Sequence, residues 1–359
     1  MKEKTKTRVE VVADSINQQG DRLTSLVLTY PRIIHAEMLT HRMFSRNASS
    51  SRAVPIQKMI EAVKNNTFCP FEFQKAHKGM QGSEYFTGQD KADCIKLWLE
   101  SAELALQQAE KMKEKGITKQ VINRILEPYQ YYTVLITGSK EGWDNFFKLR
   151  CPQYKIHQGT YKSKKEALQH GLSNGELKNW SDLDWLQNNE GQAEIHIMDL
   201  AEKIYDAVNE STPRKLAPGQ WHIPFYNQIT DLLVDKLADD EAAFIPDEKV
   251  VKISVAMAAR TSYTVVGDEK EIDYSKMVEL HDRLIEMRHD SPLEHCARAM
   301  SDEEYVSFIK GVPDMIEYEK DEIAISYLKT YEDSPEAGWC NNLKGFIPYR
   351  YFIDNKIEI

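Results

Sequence analysis

The chain reads as an α/β protein of the α+β kind: a mixed or antiparallel sheet flanked by helices, in a single intimate body with one insertion. Three observations predict this. Runs rich in β-branched residues and alternating in polarity stand at 8–12 (RVEVV), 23–30 (LTSLVLTY) and 131–137. Helical periodicity fills much of the remainder, most clearly at 92–115 and 193–208. A length of 359 residues with 42% hydrophobic content supplies an ample core, although length alone also suits two or three domains.

Taken in order, the strands at 8–12 and 23–30 lead to Pro31, which fits the first turn of a helix carrying Ile33, Ile34, Met38 and Leu39. A loop rich in hydrogen-bond donors follows. Residues 65–90 read as irregular. The helix at 92–115 places Ile95, Trp98, Leu99, Ala102 and Leu106 on one face, and Gly116 marks its stop. A shorter helix holds Val121, Ile122, Ile125 and Leu126 and ends before Pro128. WDNFFKLR, ending at Arg150, is a further helix. These elements make a first unit, 1–151. Residues 152–191 are polar, with no clear buried face before Trp180 and Trp185, and read as an insertion. Residues 192–248 supply a helix through Ile195, Met198, Ala201 and Ile204, then a loop with three prolines. The last unit, 249–359, begins with VVKISVAMAARTSY and a helix from Tyr274 to Met287, both leading into HDSPLEHCARAM.

Composition narrows the function. A net charge of −10 argues against broad nucleic-acid binding but leaves room for a local basic pocket that takes a small anion. Five cysteines with no CxxC pair oppose a disulfide framework or a structural zinc site. The basic start of the chain lacks the apolar segment of a signal peptide, and no run is long enough to cross a bilayer. The expectation is a soluble, cytoplasmic protein without metal, membrane or nucleic-acid partners. There is no GxGxxG, no Walker loop and no GxSxG elbow. Cys151 follows Arg150, which can lower a thiol pKa, but no base is adjacent, so it reads as structural.

The chemistry-bearing stretch is HRMFSRNASSSR. It gathers His41, Arg42, Ser45, Asn47, Ser49, Ser50, Ser51 and Arg52 just after an apolar segment. Hydroxyl and guanidinium groups at this density suit phosphate oxygens, which arginine can meet with two parallel bonds. Taken locally, Arg124 and Arg150 are cations at helix C-termini. In HDSPLEH, Ser291 with Glu294 three residues on has the form of a capping box, and His289 and His295 bracket that turn. The aromatic residues of the tail, Trp339, Phe346, Tyr349 and Tyr351, read as packing.

This stretch resembles the signature of flavin-dependent thymidylate synthases, R-H-R-x-x-S-x-N-x-x-S-x-R. His41, Arg42, Ser45, Asn47, Ser50 and Arg52 match at its spacing, and Thr40 takes the place of the first arginine. INRILEP, WDNFFKLR and QAEIHIMDLAEKI resemble later segments of that family. VAMAARTSY with HDSPLEH is similar to the family's N-terminal A-A-R-x-S-Y and H-E-T-P-F-E-H module, here placed after the signature, as a cyclic rearrangement would leave it. The resemblance implies the α/β fold of the thymidylate-synthase-complementing proteins, and a homotetramer whose sites draw on several subunits. It implies conversion of dUMP to dTMP with FAD, NADPH and 5,10-methylenetetrahydrofolate. It puts Glu37, Ser49, Ser50, Arg52, Arg124 and Arg150 on the nucleotide, with catalytic parts for Arg150 and Ser50. It puts His41, Arg42, Ser45, Asn47, Asn145, Leu149, Ser262, His289, Ser291 and Glu294 on the flavin or folate. Glu37, where the family has glutamine, and Thr40 keep open a related enzyme that makes another C5-modified pyrimidine nucleotide. A non-catalytic homologue acting as an interaction protein is the third reading.

Overall fold

Alternation along the first strands sets the architecture. The computed structural model describes residues 7–78, 82–170, 176–234, 247–261, 273–308 and 336–358. Its elements run β1 (Arg8–Ile16), β2 (Arg22–Pro31), α1 (His35–Leu39), β3 (Ser45–Ala48), α2 (Ile56–Asn65), α3 (Gly88–Glu114), α4 (Lys119–Leu126), β4 (Tyr131–Ser139) and α5 (Lys140–Arg150). Next come β5 (Tyr154–Ile156), β6 (Gly159–Tyr161), α6 (Lys164–His170), α7 (Asp182–Gln187), α8 (Ile195–Glu210), β7 (Arg214–Lys215), β8 (Trp221–His222) and α9 (Tyr226–Val234). The last group is α10 (Asp247–Arg260), α11 (Tyr274–Glu286), β9 (Ala297–Ala299), α12 (Asp302–Ser307), β10 (Trp339–Cys340), β11 (Leu343–Lys344), β12 (Phe346–Pro348) and α13 (Tyr349–Asn355).

The main sheet has the order β3-β4-β2-β1-β7. Its pairs are antiparallel except the short parallel join of β1 to β7, so the sheet is mixed, as expected. Side chains of successive strand residues point to opposite faces. Leu26, Leu28 and Tyr30 of β2 and Val134 and Ile136 of β4 therefore share one face. There they pack on Trp143, Phe146 and Phe147 of α5 and on Ile197, Leu200, Ala201 and Ile204 of α8. Fully burying a large apolar side chain contributes about 1.5–3 kcal/mol. The opposite face carries Leu23, which packs with Leu216, Ala297, Ala299, Leu343 and Phe346. Behind it stands the core of the C-terminal module, from α9, α10, α11 and α13. The helices α2, α3 and α4 form a third cluster around Val63, Leu106, Ile122 and Leu126.

Several expectations change. Pro31 closes β2 and precedes a 3₁₀ turn (Arg32–Ile34), so α1 is only five residues long and leaves Ile33 and Leu39 exposed. The donor-rich segment is not wholly a loop, because Ser45–Ala48 forms β3 against β4. On α3 the buried residues are Ala102, Leu106 and Ala109, whereas Leu99 is exposed. The reason is that α2 and α4 cover the C-terminal half of α3. The insertion has a buried face well before Trp180: Tyr154, Ile156 and Ala167 close on Trp185. It is tied to α8 through Tyr154 Oη to Glu202 (3.2 Å) and Ser163 Oγ to Asp206 (2.5 Å).

Candidate active site

The short strand β3 is where the two ends of the chain meet. Ser45 and Asn47 lie opposite Thr137 and Leu135, on the sheet face that looks toward the C-terminal module. Both are buried. Asn47 Nδ2 donates to Ala258 O of α10 at 2.5 Å, and Asn47 Oδ1 accepts from Ser291 Oγ at 2.6 Å. Thr261 Oγ1 donates to Asn47 O at 3.3 Å, and Asn342 Nδ2 donates to Ser45 Oγ at 3.1 Å. The serine- and arginine-rich segment and the histidine segment are therefore in direct contact although more than 200 positions separate them. The capping box expected at Ser291 does not form: Asp290 is the N-cap of the 3₁₀ turn Ser291–Glu294, and Ser291 spends its hydroxyl on Asn47.

A row of buried polar groups crosses the sheet beneath this contact. Ser15 Oγ meets His222 Nδ1 (2.9 Å), and His222 Nε2 meets Ser25 Oγ (2.8 Å). Ser25 Oγ meets Thr137 Oγ1 (2.5 Å), and Thr137 Oγ1 meets His295 Nδ1 (2.8 Å). Burial pushes both imidazoles down to about 3, so both are neutral. Apart from His295, the row was not legible in sequence, since each member is a common residue whose partner is remote.

The serine turn is clamped from two sides. Asn123 Nδ2 of α4 donates to Ser51 O (2.6 Å) and to Val54 O (3.0 Å), and Tyr132 Oη donates to Ser49 O. Asn123 is fully buried, and it is the residue that sequence reasoning missed beside the singled-out Arg124. Ser49, Ser50 and Ser51 line a cavity of about 40 Å³ together with Gln130, Tyr131 and Tyr132. Arg52 is exposed at this turn.

A second knot joins α5 to the end of α1. Arg150 Nε donates to His41 Nε2 (3.0 Å), and its Nη2 reaches Thr40 Oγ1 (3.3 Å). Thr40 Oγ1 donates to Glu37 O at 2.6 Å. Burial, then the Arg150 and Arg46 charges, hold His41 down at about 4, so it stays neutral and accepts from the guanidinium. Arg46 Nη1 buttresses the same turn through Leu39 O (2.9 Å) and His41 O (3.2 Å). Burial and the Glu194 charge raise the Glu37 carboxyl, against the pull of Arg150 and His196.

Other predicted residues stand apart within one chain. Arg42, Asn145, Leu149 and His289 are exposed. Arg124 is exposed as well, and its Nε bonds Gln120 O of its own helix (3.1 Å). Glu294 is held by Arg350 of α13 at 2.6 Å, and Arg350 also meets Asp290 at 3.1 Å. Ser262 lies outside the described residues. Burial pushes the Cys151 thiol up rather than Arg150 pulling it down, so it is a packed, neutral thiol. A larger cavity of about 340 Å³ lies between β1 and residues 214–228 and contains none of the predicted site residues. Among the described residues, no helix is long and apolar enough to cross a membrane.

No family model matches the chain, and no curated protein does. Solved structures similar to it include the UMP/dUMP methylase PolB from Streptomyces cacaoi bound with 5-Br dUMP. That likeness has a TM-score of 0.40 and 12% identity, over 57% of this chain and 90% of that one. The same methylase bound with 5-Br UMP gives a TM-score of 0.39 and 13% identity, over 57% and 89%.

Proposed function

We propose that this protein is a flavin-dependent thymidylate synthase. It converts dUMP to dTMP with 5,10-methylenetetrahydrofolate as carbon donor and NADPH as reductant. The observation that carries the proposal is the Asn47–Ser291 contact. It joins two motif segments that the resemblance assigns to one site, although the chain order separates them.

In this reading Arg52, Ser49 and Ser50 hold the nucleotide phosphate with charge-assisted bonds. Arg150, fixed by His41 and Thr40, faces the pyrimidine. Negative charge builds on the ring carbonyls as the ring is reduced, and a fixed guanidinium lowers that barrier without moving a proton. Neutral His41 adds no positive charge of its own beside Arg150 and Arg46. The donor set suits FAD: Arg42, His289 and Asn145 offer exposed donors for its anionic and carbonyl groups. When bound, FAD supplies the hydride. Ser45, Asn47 and Ser291 act on it by holding β3 against the turn that carries His289 and Glu294.

Binding pockets for such ligands run to about 300–1,000 Å³. The notch at the serine turn has about 40 Å³, so neighbouring copies in a homotetramer supply the remaining wall, including the approach of Arg124. One feature favours the second reading, a related enzyme that modifies another pyrimidine nucleotide: Glu37 presents a carboxyl where an amide would serve uracil better. The test is reconstitution. Purified protein is expected to take up FAD and turn yellow, and to oxidise NADPH faster when dUMP is added. Colourless protein that binds no FAD sinks the proposal.

A further inference from the structure

Five main-chain carbonyls of the serine turn are held by donors. Ser49 O accepts from Tyr132 Oη, Ser50 O from Ala53 N (2.9 Å) and Val54 N (3.2 Å), and Ser51 O from Asn123 Nδ2 (2.6 Å). Ala53 O accepts from Lys119 Nζ (3.0 Å), and Val54 O from Asn123 Nδ2 (3.0 Å). Across a planar trans peptide the C=O and the following N–H point in opposite directions. No peptide bond among the described residues is cis. Fixing the carbonyls of Ser49, Ser50 and Ser51 therefore turns the N–H groups of Ser50, Ser51 and Arg52 the other way. These three N–H groups, and the hydroxyls of Ser49, Ser50 and Ser51, have no partner among the described residues. A turn with its acceptors occupied and six donors unspent suits a ligand group that only accepts, and a phosphate monoester is such a group.

We propose, resting on the nucleotide reading above, that Asn123 is a positioning residue for the phosphate. It pins the turn's carbonyls so that the main-chain N–H groups of Ser50, Ser51 and Arg52, and not side chains alone, receive the anion. Asn123 is fully buried and does not line the cavity, so it acts through the turn. Both of its bonds go to carbonyl oxygens, which fixes the NH₂ end of the amide on the turn. Its neighbours Ile122 and Leu126 sit in the apolar cluster of α2, α3 and α4, where an amide is costly unless it is bonded. Tyr132 works from the sheet side. The Arg32 guanidinium lies 4.0 Å from its ring centre and the His35 ring meets it edge-on at 4.6 Å, so the ring is held independently of its hydroxyl.

The test joins a spectroscopic readout to binding. Protein carrying 15N-labelled serine is titrated with inorganic phosphate, the Ser50 and Ser51 resonances being assigned through Ser50→Ala and Ser51→Ala. Both amide protons are expected to move downfield as phosphate binds. Wild type, Asn123→Leu and Tyr132→Phe are then titrated calorimetrically with dUMP and with deoxyuridine. Asn123→Leu is expected to bind dUMP on the order of 10-fold more weakly, the worth of about one bond to a charged group. It should also lose the amide shifts and bind deoxyuridine as wild type does. Tyr132→Phe keeps the ring and should weaken dUMP in the same direction by a smaller factor. Ser50 and Ser51 amides that stay in place with phosphate bound overturn the inference. So does wild-type dUMP affinity in Asn123→Leu or, if that variant does not fold, in Tyr132→Phe. An equal loss of dUMP and deoxyuridine also overturns it, because it marks a merely structural role. Amides that respond to inorganic phosphate, in a protein that binds dUMP no tighter than phosphate, uphold the grip and refute the nucleotide reading.

Discussion

Ser291 donates a 2.6 Å hydrogen bond to Asn47 across 244 positions of sequence. The bond is half of a clasp, since the amide of Asn47 also donates to the carbonyl of Ala258. Removing one partner of a buried bond leaves the other unsatisfied, at a cost of about 1–3 kcal/mol. Asn47→Ala is therefore expected to lower stability by about that much, and Ser291→Ala by less, because it strands only one acceptor. Urea unfolding with an unchanged slope is the measurement. If both variants fall within about 0.3 kcal/mol of wild type, the clasp does not hold the module.

Arg52→Ala should strip a charge-assisted contact from the phosphate. A loss of about 1.5–3 kcal/mol corresponds to roughly 10- to 150-fold weaker dUMP binding. Deoxyuridine, which has no phosphate, should bind both proteins alike. Unchanged dUMP affinity refutes the assignment.

The bond from Arg150 to His41 predicts a spectroscopic change. Arg150 is one of the causes that hold His41 near 4. Arg150→Gln should move the His41 titration upward, read by NMR of the imidazole protons. The same variant should lose nucleotide turnover by about 100-fold or more, since one fixed donor at a developing charge is worth that much. A His41 titration that stays in place contradicts the contact.

Acid should weaken the fold through the buried histidines. His222 and His295 titrate near 3 in the folded chain, and His41 near 4, against an ordinary 6.5. Below pH 6.5 the unfolded chain binds more protons, so stability is lost as pH falls toward the folded values, by at most about 1.4 kcal/mol per pH unit for each group. Glu202, raised by burial to about 7, works in the opposite sense, losing stability as pH rises from 4.5. His222→Asn isolates one group: the stability slope between pH 5 and 6.5 should become shallower. An unchanged slope removes His222 from the account.

The long elements were legible because their periodicity is strong. β2, β4, α5 and α8 fall close to where alternation and apolar spacing put them. β3 was not legible, because Ser45 and Asn47 satisfy their buried side chains with residues more than 200 positions away. No local pattern encodes such a partner. The same cause hid the capping error at Ser291, whose spacing to Glu294 is that of a cap while its hydroxyl is recruited elsewhere. The serines and arginines of the candidate site were visible as a motif. The residues that hold them were not: Asn123 and Tyr132 work through main-chain carbonyls of the serine turn.

The most direct measurement is anaerobic incubation of the FAD-loaded protein with NADPH, 5,10-methylenetetrahydrofolate and either dUMP or dCMP, followed by mass analysis of the nucleotide. A nucleotide that has gained a one-carbon unit at C5 is expected, formed only when flavin, folate and reductant are all present. Recovery of unaltered nucleotide from yellow, NADPH-oxidising protein would contradict it.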